Sequence, residues 1–136
     1  MRSIQNTFKK YFPGDMIIYN DLNIKKKHQG SVIAIGNFDG VHLGHHKVIK
    51  QGKRAAKKNK LPFGIITFEP VPVMFFNSKL KNHRINSLTQ KKDHLHKLNI
   101  DFLIVIKFNR MFSFLSADQF IKKILYNKIK SKFIYV

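Results

Sequence analysis

At 136 residues the chain is long enough for one domain and too short for two. Its hydrophobic content of 43% and aromatic content of 12% exclude a disordered tail, and the lack of cysteine excludes disulfides, thiol nucleophiles and cysteine-ligated metal centres. Lysine and arginine number 26 against 7 acidic residues, a formal net charge of +19. Such a charge points to a polyanion partner, because clustered cations release counterions from a phosphate backbone. The type of cation argues the other way. There are 22 lysines and only 4 arginines, the residue that reads bases and phosphates bidentately. Lys, Ile, Asn, Phe and Tyr make up about half the chain, as an AT-rich coding bias would produce, so compositional drift explains the charge better than nucleic acid does.

The longest apolar runs, Val73–Phe76 and Phe102–Ile106, fall far short of a membrane span, and residues 1–12 lack the long apolar segment of a secretory signal. A cytoplasmic protein without a membrane partner is the expectation. Residues 1–30 read as an irregular, basic lead-in to a single domain over 1–136, with a short strand near Met16–Tyr19.

Ser31–Gly36 is apolar at successive positions, as a strand buried on both faces of a parallel sheet requires. Leu43, Val48, Ile49, Ala55 and Ala56 then recur at helical spacing, predicting a helix from Leu43 to about Asn59 that ends before the Leu61-Pro62 break. Pro62–Phe68 reads as a second buried strand, followed by the turn Glu69-Pro70-Val71-Pro72. Ser87 and Gln90 form a capping box that opens a helix to about Leu98. Phe102–Phe108 is a third apolar strand. Ser116 and Gln119 form a second capping box, and Phe120, Ile121, Ile124, Leu125 and Ile129 continue that helix. Lys132–Val136 begins a further strand. Alternating strands and helices predict an α/β, Rossmann-like, doubly wound parallel sheet.

The segment Gly36-Asn-Phe-Asp-Gly-Val-His-Leu-Gly-His45 lies where the first buried strand passes into the long helix. The crevice at that carboxyl end is where open α/β sheets bind ligands. Gly36 and Gly40 permit tight turns and positive φ, so that backbone N–H groups can face a ligand. Gly44 allows an anion to approach the helix N-terminus. His42 and His45, three residues apart, fall on one side of the first turn. There they could hold phosphate oxygens as charge grows during phosphoryl attack. A metal pair is the alternative, but no third ligand of the H-E-x-x-H kind follows and no metal ligand is assigned. An N-cap flanked by surface histidines is the other.

The ten-residue string resembles the signature of the bacterial FAD synthetase domain, the N-terminal half of bifunctional riboflavin kinase/FAD synthetases. Thr67-Phe-Glu-Pro-Val-Pro72 resembles the family's T-F-E-P-x-P turn, and Arg84-Ile-Asn-Ser-Leu with Lys91 its R-L-x-x-L…K segment. Phe108-Asn-Arg-Met-Phe…Leu115-Ser-Ala-Asp-Gln-Phe120 resembles its F-D-x-x-F…L-S-A-x-x-F stretch. The resemblance runs from about residue 15 to 136 and implies a fold of the nucleotidyltransferase type. It also implies transfer of AMP from ATP to FMN, giving FAD and pyrophosphate with Mg²⁺. FMN carries its own anionic nucleophile, so such a site needs positioning and charge neutralisation rather than a general base.

By resemblance, His42 and His45 contact the ATP phosphates, and Gly36, Asn37, Phe38, Asp39, Gly40 and Gly44 shape the nucleotide pocket. Phe68, Glu69, Pro70, Pro72, Arg84, Lys91 and Asn109 fall to the flavin side. Several keep a second reading. Glu69, the chain's one glutamate, could be a surface turn residue. Phe68, Phe75 and Phe76 could flank an isoalloxazine ring or belong to the core, and Arg84 and Lys91 could reach phosphate or stand as ordinary exposed cations.

Three departures from the family pattern stand out. Val71 occupies a position that often carries histidine, and Asn109 replaces an aspartate. The chain also stops before the family's G-x-D-F-x-F-G and I-S-S-T-x-x-R segments and its riboflavin kinase domain, so the sheet is expected to be incomplete at its C-terminal end. A separate partner chain could supply that region, or the chain could be an inactive remnant. A basic nucleic-acid-binding module is a weaker reading, because the lysines are spread over every segment instead of striped on one element.

Overall fold

The computed structural model describes residues 16–38, 43–70 and 88–136. Five parallel strands form one sheet: β1 (Ile17–Tyr19), β2 (Val32–Ile35), β3 (Phe63–Glu69), β4 (Phe102–Lys107) and β5 (Phe133–Tyr135). Their order is β1-β4-β3-β2-β5. The near-continuous apolar runs of β2, β3 and β4 are accounted for by burial on both faces. Val32, Ala34, Phe63, Ile65, Leu103 and Val105 belong to one core, while Ile33, Ile66, Phe102, Ile104 and Ile106 belong to the other. This is the period-2 alternation of a sheet covered on both sides. Each fully buried aliphatic side chain contributes about 1.5–3 kcal/mol.

Helix α1 (Leu43–Asn59) and helix α2 (Leu88–His96) cover the first face through Ile49, Ala56 and Leu95. On the second face lie Ile124, Leu125 and Ile129. The segment that carries them is not a plain α-helix. A short α4 (Ala117–Gln119), opened by the Ser116–Gln119 capping box, passes into π-helical turns over Phe120–Tyr126. The wider turn buries Ile124 and Leu125 and leaves Ile121 about half exposed, although the sequence places all three on one apolar stripe. A further short helix, α3 (Arg110–Ser113), is not legible as helical periodicity.

The lead-in contributes to the sheet. β1 pairs with β4 at the edge, and a 3₁₀ turn at Lys26–His28 inserts His28 beneath β4. At the amino ends of β3 and β4, Asp101 joins the strands: its carboxylate accepts from the Phe63 N–H at 2.7 Å, and its own N–H donates to the Phe63 carbonyl at 2.9 Å. From β2 the chain winds through β3 to β4 on one side and then crosses to β5 on the other. The winding reverses between β2 and β5, and at their carboxyl ends a crevice opens.

Candidate functional site

β2 ends at Ile35, and the string singled out in the sequence begins there. The Gly36 N–H continues the ladder by donating to the Ile66 carbonyl at 3.1 Å. Two residues later Phe38 turns back and buries its ring, with 1% exposure and φ of +51°. The sequence suggested Gly36 and Gly40 as the positions open to positive φ; Gly40 lies outside the described residues, Gly36 does not adopt it, and Phe38 carries the left-handed conformation here. Gly36 is needed for a different reason. A Cβ at that position would lie 3.1 Å from the Phe38 ring, tighter than side chains normally pack. Helix α1 starts at Leu43, so Gly44 and His45 occupy its first turn, where unpaired N–H groups favour negative charge. His45 is half-buried, with its ring centroid 5.1 Å from that of Phe38. Asp39, Gly40 and His42 lie outside the described residues.

Under this loop sits a lysine that the sequence left as an exposed cation or a phosphate contact. Lys91, on α2, has no exposed surface, which removes the first option. Its Nζ donates to Thr67 Oγ1 at 3.3 Å, and the Thr67 hydroxyl donates to the Asn37 carbonyl at 3.0 Å. Thr67 is equally buried. Helix α2, strand β3 and the first turn of the loop after β2 are therefore joined by consecutive polar contacts. Thr67 was quoted in the sequence only as the first residue of a turn motif. The signal that could have found its role was a lone hydroxyl in an otherwise apolar buried strand.

At the carboxyl ends of β3 and β4 the second face opens into a cleft of about 310 Å³ lined mainly by Phe68, Phe108, Phe112, Leu115 and Phe120. Phe68 stands at its centre, 6.1 Å from Phe108, 5.9 Å from Phe112 and 6.4 Å from Phe120 between ring centroids. Phe108, Phe112 and Phe120 were not among the candidate ring neighbours; their signal was the Phe-x-x-x-Phe spacing after β4. Glu69 closes β3, half-buried, and its carbonyl accepts from the Phe108 N–H at 3.1 Å. A cis Glu69–Pro70 peptide follows. Asn109 caps α3, its side chain accepting from the Phe112 N–H at 2.8 Å. Phe75, Phe76, Pro72 and Arg84 lie outside the described residues. The structure thus brings Phe68, Glu69 and Asn109 to one end of the sheet, with Gly36–Phe38 on the strand next to β3. Adjacent strands are about 4.8 Å apart, so a single elongated ligand could span both regions.

The described residues contain no helix long and apolar enough to cross a membrane. They also contain no group of three or more histidine, cysteine or acidic side chains placed to hold a metal ion.

Sheet order, winding and the loop at the switch point together define a Rossmann-like, doubly wound α/β domain. A sequence model of FAD synthetases matches residues 24–136. The chain belongs to the FAD synthetase family. Over 114 residues it is 43% identical to the bifunctional riboflavin kinase/FMN adenylyltransferase of Buchnera aphidicola subsp. Schizaphis graminum, covering 84% of this chain and 36% of that protein. It is 38% identical over 114 residues to the protein of the same name from Haemophilus influenzae, covering 84% and 37%. The chain therefore spans little more than a third of the length of these relatives. The crystal structure of a macrolide-efflux protein from Streptococcus pneumoniae superposes with a TM-score of 0.75 at 24% identity, covering 88% of this chain and 47% of that one. That likeness is one of fold.

Proposed function

We propose that this domain carries an FMN adenylyltransferase site. The observation that carries the reading is that the family match spans the loop at the sheet's switch point, where an α/β fold binds nucleotides. In the reaction a phosphate oxygen of FMN attacks the α-phosphorus of ATP. The bond from that phosphorus to the α–β bridging oxygen breaks, and pyrophosphate leaves. The attacking oxygen is already anionic at neutral pH, so the site must align two polyanions and offset their charge. His45, in the first turn of α1, and His42, assigned with it by the family motif, hold the ATP phosphates. Gly36, Asn37, Phe38 and Gly44 border the nucleotide, and the family motif assigns Asp39 and Gly40 to it as well.

The flavin ring enters the aromatic cleft at Phe68, with Glu69, Pro70 and Asn109 at its mouth; Pro72 and Arg84 are assigned to the flavin side by the family motifs alone. A flat apolar ring gains by exchanging water for phenylalanine edges and faces, and the volume is within the usual range for small-ligand sites. Mg²⁺ would arrive on the ATP phosphates, held mostly by phosphate oxygens and water. It would neutralise charge on the departing pyrophosphate. ATP and FMN are both soluble metabolites, and the reading places the protein in the cytoplasm.

The test is FAD formation by the 136-residue chain given ATP, FMN and Mg²⁺, with His42→Ala as control. FAD made by the parent and lost in the variant supports the reading. Binding of ATP and FMN by the folded chain with no FAD formed would leave a binding domain without transfer.

A further inference from the structure

We infer that Lys91 is a positioning residue for the nucleotide loop, acting through Thr67, and does not itself contact FMN or ATP. The inference deepens the FMN adenylyltransferase reading and rests on it for the identity of the ligand. Burying a lysine amine is costly unless polar partners receive it, so the partners of a fully buried lysine mark what it holds in place. Lys91 has no exposed surface, and its Nζ reaches inward to the hydroxyl of Thr67, itself fully buried. That hydroxyl spends its one proton on the Asn37 carbonyl.

The consequence is directional. With its proton committed to Asn37, the Thr67 oxygen is left as an acceptor, and the Lys91 Nζ that donates to it is the partner that favours this orientation. A donor-only group on α2 therefore fixes a hydroxyl on β3, and the hydroxyl fixes the carbonyl at which the chain leaves β2. The next residue, Phe38, is the one held at φ +51°. A bulky side chain in the left-handed region needs its surroundings to hold it there. The relay supplies part of that constraint one residue upstream, at the described end of the loop that leaves β2.

Among the described residues the contacts of the relay run to the loop and include no side chain of the aromatic cleft, so its loss should be felt by ATP more than by FMN. The binding of Mg²⁺-ATP and of FMN is measured separately by calorimetry on the full chain and on Lys91→Met, Thr67→Val and the double variant. The expected result is about tenfold weaker ATP binding in each single variant, the scale of one lost buried hydrogen bond, with FMN binding within about twofold of the parent. The double variant should be no weaker than the poorer single one, because both substitutions break the same relay. Thr67→Ser, which keeps the hydroxyl, should recover most of what Thr67→Val loses.

Weaker FMN binding with ATP binding intact would make Lys91 a flavin-phosphate ligand and overturn the inference; additive losses would also overturn it. If the parent chain binds neither nucleotide, the adenylyltransferase reading fails, and the relay is then read by hydrogen exchange. Faster exchange confined to the peptide containing Gly36–Phe38 in Lys91→Met and Thr67→Val sustains it. Unchanged exchange there, or a uniform rise across the sheet, rejects it.

Discussion

Phe38 folds back over Gly36, so closely that a Cβ on the glycine would stand 3.1 Å from the ring. The contact ties the end of β2 to the loop that leads into α1, because Phe38 is both a core residue and the start of that loop. Gly36→Ala should leave the sheet intact and displace the ring by a few tenths of an ångström. The expected outcome is a melting temperature within a few degrees of the parent, with ATP binding several-fold weaker. A calorimetric titration beside a thermal melt would check both. Unchanged ATP affinity would mean that the ring and the nucleotide loop are not coupled.

Gly64 presents the harsher version of the same problem. The Phe102 ring of the neighbouring strand covers its Cα, and a Cβ there would overlap three ring carbons. Phe102 cannot easily move, since its other side is stacked on His28 at 4.5 Å. Gly64→Ala should therefore cost about 3 kcal/mol, the upper end for overpacking a core. Urea denaturation reads it directly. A loss below about 1 kcal/mol would show that the ring has room to swing aside.

His28 gives the fold a pH dependence. It is buried between Phe102 and Tyr19, whose hydroxyl lies 2.6 Å from His28 Nδ1. Burial, helped by Lys27 and Lys25 and opposed by Asp101, holds its pKa below the usual 6.5. In the unfolded chain the imidazole takes up its proton near 6.5, while in the fold it resists until a lower pH. The unfolded state thus binds more protons in that window, and stability falls as pH drops below 6.5 toward the folded value. Melting temperatures at pH 7.5 and 5.5 should differ in that sense, and less so in His28→Phe, which keeps the stack and removes the titrating group. A steeper dependence in the variant would contradict this.

Asn109 is one of the departures noted from the motif that the sequence resembles, and its observed work is to cap α3. Asparagine and aspartate are nearly equal as N-caps, so the exchange is silent for the helix. Asn109→Asp should change stability by only a few tenths of a kcal/mol, whereas Asn109→Ala should cost about 1 kcal/mol. Both follow from denaturation curves. If Asn109→Asp alters FMN affinity at constant stability, the side chain also serves the flavin.

How much of this was legible beforehand differs between sheet and site. Val32–Ile35, Phe63–Glu69 and Phe102–Lys107 stand out as strands because a two-sided sheet needs apolar residues at both parities. Helix α1 matches its expected limits because its apolar period, its first-turn glycine and the Leu61-Pro62 break all agree. The π-helical turns at Phe120–Tyr126 were not legible: the residues fit an α-helical stripe, and packing against the second face decides the wider turn.

What the sequence by itself determined was the alternation of elements and the place of the glycine- and histidine-bearing motif between β2 and α1, since both are written in local periodicity and in a contiguous motif. Strand order, and so the position of the switch point between β2 and β5, came from tertiary pairing. The same holds for Lys91, whose residue type predicts a solvated surface and whose partner lies 24 residues away on another element. The aromatic cleft likewise assembles Phe68 with Phe108, Phe112 and Phe120 from separate segments. Periodicity reports which way a side chain faces along its own element; only packing reports what it meets there.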